Sequence, residues 1–406
     1  MTGLLREVAE GRVIVAIDPG KVANRVWVTD RAGMLGEPLS LPTSRAGIET
    51  LERLVGGRDA LFAVEATGAL HRAWAAELEQ RRPGSLRLFA PSETHAARAQ
   101  LGARRFKTDD CDCAALVWLA RQGAGRPAAA SGVEAMLGAV AHRRQLILAL
   151  TPLRQRLHDQ LNVLAPGLSA PSGHGRALAL QTPSGRAVLC CAAAFAGRAP
   201  SARSLKARAG GRLSDATAAF WIRRWQDCLP PPPDAEPRAA RLARDVERFE
   251  ALRDDIAFVD GQVEQLLANS AGQILTTLPG VAIVRAAAFA AHTLPVERFL
   301  TPEHLYSATG LAPASYQSAT VRRRGGIART GLPEHRDALM GIAWGLGQFA
   351  PAFQQRLAEL RARGKAPIEA RVALARHACR LCWRMLHTQQ PYDDRRYDRA
   401  RRDRGR

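Results

Sequence analysis

Lysine is nearly missing from this chain: Lys21, Lys107, Lys206 and Lys365 are the only four among 58 basic residues, which leaves 54 arginines. No apolar run approaches the roughly 18 residues needed to cross a bilayer, so a membrane span is excluded. The first residues, "MTGLLREVAEGR", lack the apolar centre of a signal peptide, and a cytoplasmic protein with no membrane partner is expected. Cysteine is sparse and unframed. Seven is an odd number, and the spacings make no disulfide scaffold. Cys379 and Cys382 form a CxxC within "RHACRLCWRML", a helical pattern, but no second pair completes a zinc site. Both thiols are therefore expected on a buried helix face.

What is present is positive charge. Acidic residues number 38, and the net charge is +20. Guanidinium forks bind phosphate bidentately and release counterions, so the expected partner is a polyanion, with nucleic acid the leading candidate. The arginines are spread through every segment, which fits neither a lone basic tail nor a membrane-surface helix. A chain of 406 residues that is 47% hydrophobic has material for two or three domains.

The first 130 residues alternate strand and helix signals. The stretch "VIVAIDPGKVANRVWVTD" reads as a buried strand over 12–18 ending in Asp18, a Pro-Gly turn, and a returning hairpin strand. A weaker strand is expected near 34–41, then a short helix in "GIETLERLVGG". "ALFAVEAT" is a second buried strand ending at Glu65, followed by the helix "GALHRAWAAELEQR", the strand "SLRLFAPS" and a helix containing "KTDDCDCAALVWLARQG". The sum is an α/β layer with a mixed sheet. Asp18 and Glu65 lie at the carboxyl ends of strands, where open α/β sheets bind ligands. Asp109 and Asp112, three apart, share a helix face. Four converging carboxylates repel unless cations neutralise them, and two Mg²⁺ ions held there activate an attacking oxygen and stabilise a leaving one at a phosphodiester. On the bland reading, Asp109, Asp110 and Asp112 are a helix first turn favoured by the macrodipole, which leaves the two strand-end acids unexplained.

Residues 131–268 have a different texture. Apolar positions at Val140, Ile147, Leu150, Leu157, Leu161 and Leu164, and again at Leu242, Val246, Phe249, Leu252, Ile256, Val259, Val263 and Leu266, mark two long helices of a coiled-coil arm. Pro152 is expected to kink or split the first. Between them, about 166–238, Pro, Gly and Ser clusters predict an irregular insert, with one helix in "SDATAAFWIRRWQ" capped by Ser214. Trp221 and Trp225, one turn apart beside Arg223 and Arg224, are either buried or a platform for unpaired bases, with burial favoured. Over 269–390, "LPGVAIVRAAAFAAHT" looks like the hairpin of a helix-hairpin-helix turning at Pro279 and Gly280, whose backbone N–H groups grip a phosphate, and a basic run, Arg322, Arg323 and Arg324, suits a scissile phosphate. The end, 391–406, reads as a basic disordered tail.

"IDPGK", "EATG" and "KTDDCD", in this order and spacing, resemble the DEDD motif of the insertion-sequence transposases of the IS one-ten family, related to the Piv DNA invertase and to RuvC-type nucleases. The likeness covers Asp18, Lys21, Glu65, Thr67, Gly68, Lys107, Thr108, Asp109 and Asp112, and continues through Pro279, Gly280, Phe299, Gly310, Leu311, Pro313, Ser318, Gly331 and Arg336. The sequence departs from the family at Leu70, Cys113 and Ala319, where the family has an aromatic residue, Ala and Gly, and Ala282 stands where a helix-hairpin-helix usually has its second glycine. The resemblance implies an RNase H-like (RuvC-like) α/β domain, a helical coiled-coil arm and a mostly α-helical transposase domain. It implies that Asp18, Glu65, Asp109 and Asp112 hold two Mg²⁺ ions, and that Ser318 attacks the DNA backbone to form a phosphoserine. Lys21, Lys107, Arg329 and Arg336 join the arginine run as nucleic-acid contacts. The expected partners are DNA, a structured guide (bridge) RNA and further copies of the chain, as a homodimer or homotetramer, with the site composite across subunits and the protein at the prokaryotic nucleoid. The alternative is a RuvC-like hydrolytic nuclease on branched DNA with no covalent intermediate.

Overall fold

Val13, Val15 and Ile17 turn to one face of the first strand and Ile14 and Ala16 to the other, and all five are buried. This double burial is why the strand reads as an unbroken apolar run. The computed structural model describes residues 11–30, 36–103, 107–127, 131–169, 178–318, 321–329 and 331–395, with the backbone alone described at 131, 315–318 and 321–325. The chain divides into two compact units, Met1–Ser131 and Gly132–Arg406.

The first unit is a six-stranded sheet. Strands β1 (Val13–Asp18), β2 (Ala23–Thr29) and β3 (Leu39–Pro42) form an antiparallel meander, β4 (Ala60–Glu65) and β5 (Leu86–Phe89) run parallel to β1, and β6 (Arg126–Pro127) pairs antiparallel at the edge. The spatial order is β3-β2-β1-β4-β5-β6. Helices α1 (Arg45–Val55) and α2 (Arg72–Arg81) cover one face through Ile48, Leu51, Val55, Trp74 and Leu78. The other face is sealed by Cys113, Leu116, Val117 and Ala120. The expected single helix around "KTDD" is two: α3 (Pro91–Gln100) and α4 (Asp109–Arg121). Gly102, at φ +89°, is one breaker between them, and Thr108 starts the second by accepting from Cys111 N at 3.2 Å.

In the second unit α5 (Ser131–Leu164) and α9 (Ala235–Ala268) are the two long helices. Arg143 bonds Asp260 at 2.5 Å, and Arg156, further along α5, bonds Asp245, earlier on α9, at 2.8 Å, so the pair is antiparallel. Pro152 does not split α5. Its ring lies on the exposed side, while Leu153 and Leu157 carry the packing, so solvent serves the backbone groups that proline leaves unpaired.

The insert between these helices is not mainly irregular. It holds α6 (Pro183–Ala194), α7 (Ala202–Arg208) and α8 (Asp215–Gln226). Ser214 caps α8 as expected, accepting from Thr217 N at 3.2 Å, while Ser201, in a stretch that reads as loop, caps α7 by accepting from Ser204 N at 3.1 Å, and Thr182 caps α6 by accepting from Gly185 N at 3.1 Å. Pro183 opens α6, where its missing N–H costs nothing. These helices share a core with Leu157, Leu161, Leu242 and Phe249. Trp225 is buried, its indole N–H donating to Gly197 O at 2.8 Å, and Trp221 is half-buried.

The other ends of α5 and α9 enter a second core with α10 (Ile283–Thr293), α11 (Pro302–Ala308), α12 (Pro333–Phe349), α13 (Pro351–Ala362) and α14 (Pro367–Thr388). A hairpin of β7 (Pro313–Ser318) and β8 (Val321–Ile327) precedes α12. Cys379 and Cys382 are buried in α14, their thiols pushed up by burial, and all seven cysteines are unpaired. No described helix is long and apolar enough to cross a membrane. The tail expected over 391–406 falls mostly outside the described residues.

Candidate active site

The turn that ends β1 can be made only by the residues it has. A side chain at Gly20 would place Cβ 2.1 Å from Ala23 O, and Gly20 N donates to Asn24 Oδ1 at 3.1 Å. Asp18 thus ends its strand at a tight reversal, beside β4, whose terminal residue is the buried Glu65. Parallel pairing places both acids at one sheet edge. On α4 the first turn carries exposed Asp109 and buried Asp112.

These four acids lie in one electrostatic field. Burial pushes the Asp18 carboxyl up to about 7, and Glu65, Asp112 and Asp109 push it in the same direction against the cation of Lys107. Asp112 is likewise raised, first by burial, with Arg98 opposing it. Arg98 Nε stands 2.8 Å from Asp112 Oδ1, both groups nearly sealed, yet neither atom has a hydrogen bond of acceptable angle. Close contact without alignment is an ion pair, not a satisfied site. Glu65 Oε1 accepts from Thr67 Oγ1 at 2.5 Å. Asp110 is drawn aside by Arg25, Nε to Oδ1 at 2.5 Å.

Carboxylate oxygens are the hard donors that Mg²⁺ takes, and Asp112 Oδ1 is a buried oxygen without a hydrogen-bond partner, so the donor set fits a hard divalent ion. Among the described residues no three Asp, Glu, His or Cys side chains lie close enough to chelate one ion as they stand. Arg98 and Thr67 hold two of the four acids instead. Sequence reasoning gave Arg98 no role. It lies on α3, before the loop that leads into α4 and Asp112, and no spacing rule links the two.

The field has a pH consequence. A carboxyl raised in the folded state binds its proton there more tightly than in the unfolded chain, so its stabilising contribution is complete below about 4 and lost as pH rises through about 7. In EDTA, melting temperature should therefore fall from pH 5 to pH 8 by more in the wild type than in Asp18→Asn, and the variant should be the more stable at pH 8. Added Mg²⁺ should raise the wild-type value at pH 8 and the variant's less. Identical pH profiles for the two proteins would place Asp18 outside any shared carboxylate field.

The remaining candidates lie in the second unit. Ser318 ends β7 opposite Val321, and Gln317, Tyr316 and Ser315 pair with Arg322, Arg323 and Arg324 along the hairpin. The Ser-Ala departure falls at Ala319, outside the described residues. Arg329 is exposed at φ +57°, its N–H donating to Gly310 O at 3.0 Å. Arg336 is half-buried on the first turn of α12 against Gly310, and its Nη1 has no partner among the described residues. Pro279 and Gly280 form the turn before α10, with Gly280 at φ +72°. Lys21 and Lys107 are both exposed in the first unit.

Residues 272–358 match the "Transposase IS116/IS110/IS902 family", a span that contains Ser318, the arginine run and the Pro279–Gly280 turn. Two relatives are pilin gene-inverting proteins. That of Moraxella bovis is 26% identical over 150 residues, 35% of this chain and 46% of the relative. That of Moraxella lacunata is 27% identical over 154 residues, with the same shares covered. An insertion element IS110 protein of 43.6 kDa from Streptomyces coelicolor is 29% identical over 146 residues, 36% of each chain. The matches span less than half the length of these relatives.

Proposed function

We propose that the chain, whose residues 272–358 match the transposase domain of the IS116/IS110/IS902 family, is a DNA transposase or recombinase that cuts and rejoins strands through Ser318, assisted by the acids of its first unit. The observation that carries the reading is the shared field of Asp18, Glu65, Asp109 and Asp112, which is costly to maintain without a bound cation. The mixed sheet, with Asp18 and Glu65 on adjacent strand ends, supports an RNase H-like first domain. Two Mg²⁺ ions bound by these acids would supply Lewis-acid stabilisation of charge on the phosphodiester oxygens. Thr67 and Arg98 hold Glu65 and Asp112 in place, and an ion binding there would take over Asp112 from Arg98.

The covalent step is a transesterification. Ser318 Oγ loses its proton and bonds to phosphorus, the bond from phosphorus to a deoxyribose oxygen breaks, and that oxygen is protonated as it leaves. One phosphodiester replaces another, so rejoining needs no outside energy source. Arg322, Arg323 and Arg324, on the strand paired with the serine's own, are the cations for the phosphate. The pilin gene-inverting relatives rearrange DNA by name, and recombination of DNA is the activity carried across to this chain. A structured guide RNA, a dimer or tetramer and a cytoplasmic, nucleoid-associated location complete the proposal, of which the +20 charge supports a nucleic-acid partner.

The test is a suicide duplex, broken just beyond the cleavage site so that the severed strand diffuses away and rejoining is blocked. Incubated with protein, guide RNA and Mg²⁺, labelled DNA should migrate with the protein on a denaturing gel. Cleaved but unattached DNA would replace this reading with that of a RuvC-like hydrolytic nuclease.

A further inference from the structure

From Gln265 to Val296 the chain contains one arginine or lysine and no carboxylate: the cation is Arg285 on α10. Its position is constructed. The guanidinium lies over the Trp344 ring of α12, 5.6 Å from the centroid, and its Nη1 donates to Gly280 O at 2.9 Å. Two glycines make room for this. A Cβ at Gly341 would come within 3.0 Å of Arg285 Nε, and one at Gly345 would come 2.5 Å from Gly280 O. The Leu-Pro-Gly turn lies directly on α12, since a Cβ at Gly280 would meet Phe349 Cδ2 at 2.3 Å. The facing stretch of α12, from Ala338 to Phe349, is also free of charged residues, so nothing in these two stretches neutralises Arg285.

Two large aromatics are left in solvent at this place: Trp344 is 42% exposed and Phe349 60%. Burying them alongside the rest of α12 would be favourable, and the second unit buries Phe289 and Phe353 completely. An exposed indole with an unneutralised guanidinium over it, and an exposed phenyl ring at the adjoining turn, match what a nucleotide presents, a flat π-face and a phosphate. A duplex keeps its base faces stacked inside. Only unpaired nucleotides offer both parts at once.

We infer that Arg285, Trp344 and Phe349 form a binding shelf for unpaired nucleotides, with bases stacking on the two rings and a backbone phosphate meeting the guanidinium. This goes beyond the cutting chemistry assigned to the acids and Ser318, and it rests on the nucleic-acid reading only for its class of ligand. Arginines elsewhere in the chain, such as Arg143, Arg156 and Arg380, are paired with carboxylates, in contrast to Arg285. Single-stranded DNA and the loops of a structured RNA share this chemistry, and the test separates them.

Fluorescence anisotropy would be measured on the full chain with labelled 20-nucleotide single strands of DNA and of RNA of one mixed sequence, and with the corresponding DNA duplex. Trp344→Ala should weaken binding to at least one of the single strands by about ten- to hundredfold, the scale of one or two stacked bases. Duplex binding should change less than about threefold. Trp344→Phe, which keeps an aromatic face, should recover most of the affinity, and unchanged melting temperatures would show that the variants fold. Arg285→Ala should lower single-strand affinity and reduce its salt dependence, whereas Arg285→Lys should keep the salt dependence. The strand that suffers the larger loss identifies the source, DNA or RNA. Equal losses on single strand and duplex, or no loss on either strand, would overturn the shelf. So would a change from oligomer to monomer in Trp344→Ala, which would make this face a protein interface. Suicide-duplex cleavage failing in the wild type while Trp344→Ala still selectively weakens single-strand binding would sink the transposase reading and leave the shelf standing.

Discussion

Asp18→Ala is expected to abolish Mg²⁺-dependent strand cleavage, by roughly a thousandfold or more, while nucleic-acid binding stays within about twofold. The size follows from the position. Asp18 ends the central strand of the sheet and feels Glu65, Asp109 and Asp112 together, so removing it takes away the carboxylate most strongly coupled to the others. Misfolding is a poor alternative explanation for such a loss, because taking one charge from a crowd of four relieves repulsion. The variant should melt at or above the wild-type temperature in EDTA near pH 8. Glu65→Ala and Asp112→Ala should lose activity similarly, although Asp112→Ala also strands the Arg98 guanidinium and should cost stability. Gel-resolved cleavage of a labelled substrate, beside calorimetric melting, checks both halves. An Asp18→Ala protein that cuts at the wild-type rate would remove the acid cluster from the chemistry.

Ser318→Ala is expected to lose the protein-DNA adduct on the suicide duplex completely, with unchanged binding. Without Oγ no phosphoserine can form, and no partial rate remains for a covalent step whose nucleophile is missing. Ser315→Ala is the matched control. Both serines belong to β7, but Ser315 pairs with Arg324 in the body of the hairpin while Ser318 stands at its end opposite Val321. Mass spectrometry of the trapped adduct should locate the phosphate on Ser318. A band that persists in Ser318→Ala, or vanishes only in Ser315→Ala, would assign the nucleophile to another residue.

The elements of the first unit were legible because its two kinds of pattern differ physically. Strands buried on both faces, such as Val13–Asp18 and Ala60–Glu65, leave unbroken apolar runs, and amphipathic helices such as Arg45–Val55 leave a period near 3.6. The acids at the strand ends could be picked out for the same reason, since each interrupts such a run at its last residue. The insert misled because Ser, Thr and Pro open both loops and helices. Thr182 and Ser201 are caps, as Ser214 was expected to be, and what makes their helices worth forming is a core with Leu157, Leu161 and Phe249, which lie outside the insert in sequence. Pro152 reads as a breaker in the sequence, yet it faces solvent within an unbroken α5.

By itself the sequence determined the charge, the alternation of strand and helix, the two long helices and the identity of the candidate acids, because these depend on residue type and on spacing along one element, whereas Ser318 stood out only through the resemblance to the family. The tertiary structure alone decided that α3 brings Arg98 to Asp112, that Arg25 draws off Asp110, and that Gly341 and Gly345 admit Arg285 and the Leu-Pro-Gly turn beneath an exposed tryptophan. Each of those contacts joins residues far apart on different elements, and their energies depend on distance and burial, which no local pattern encodes.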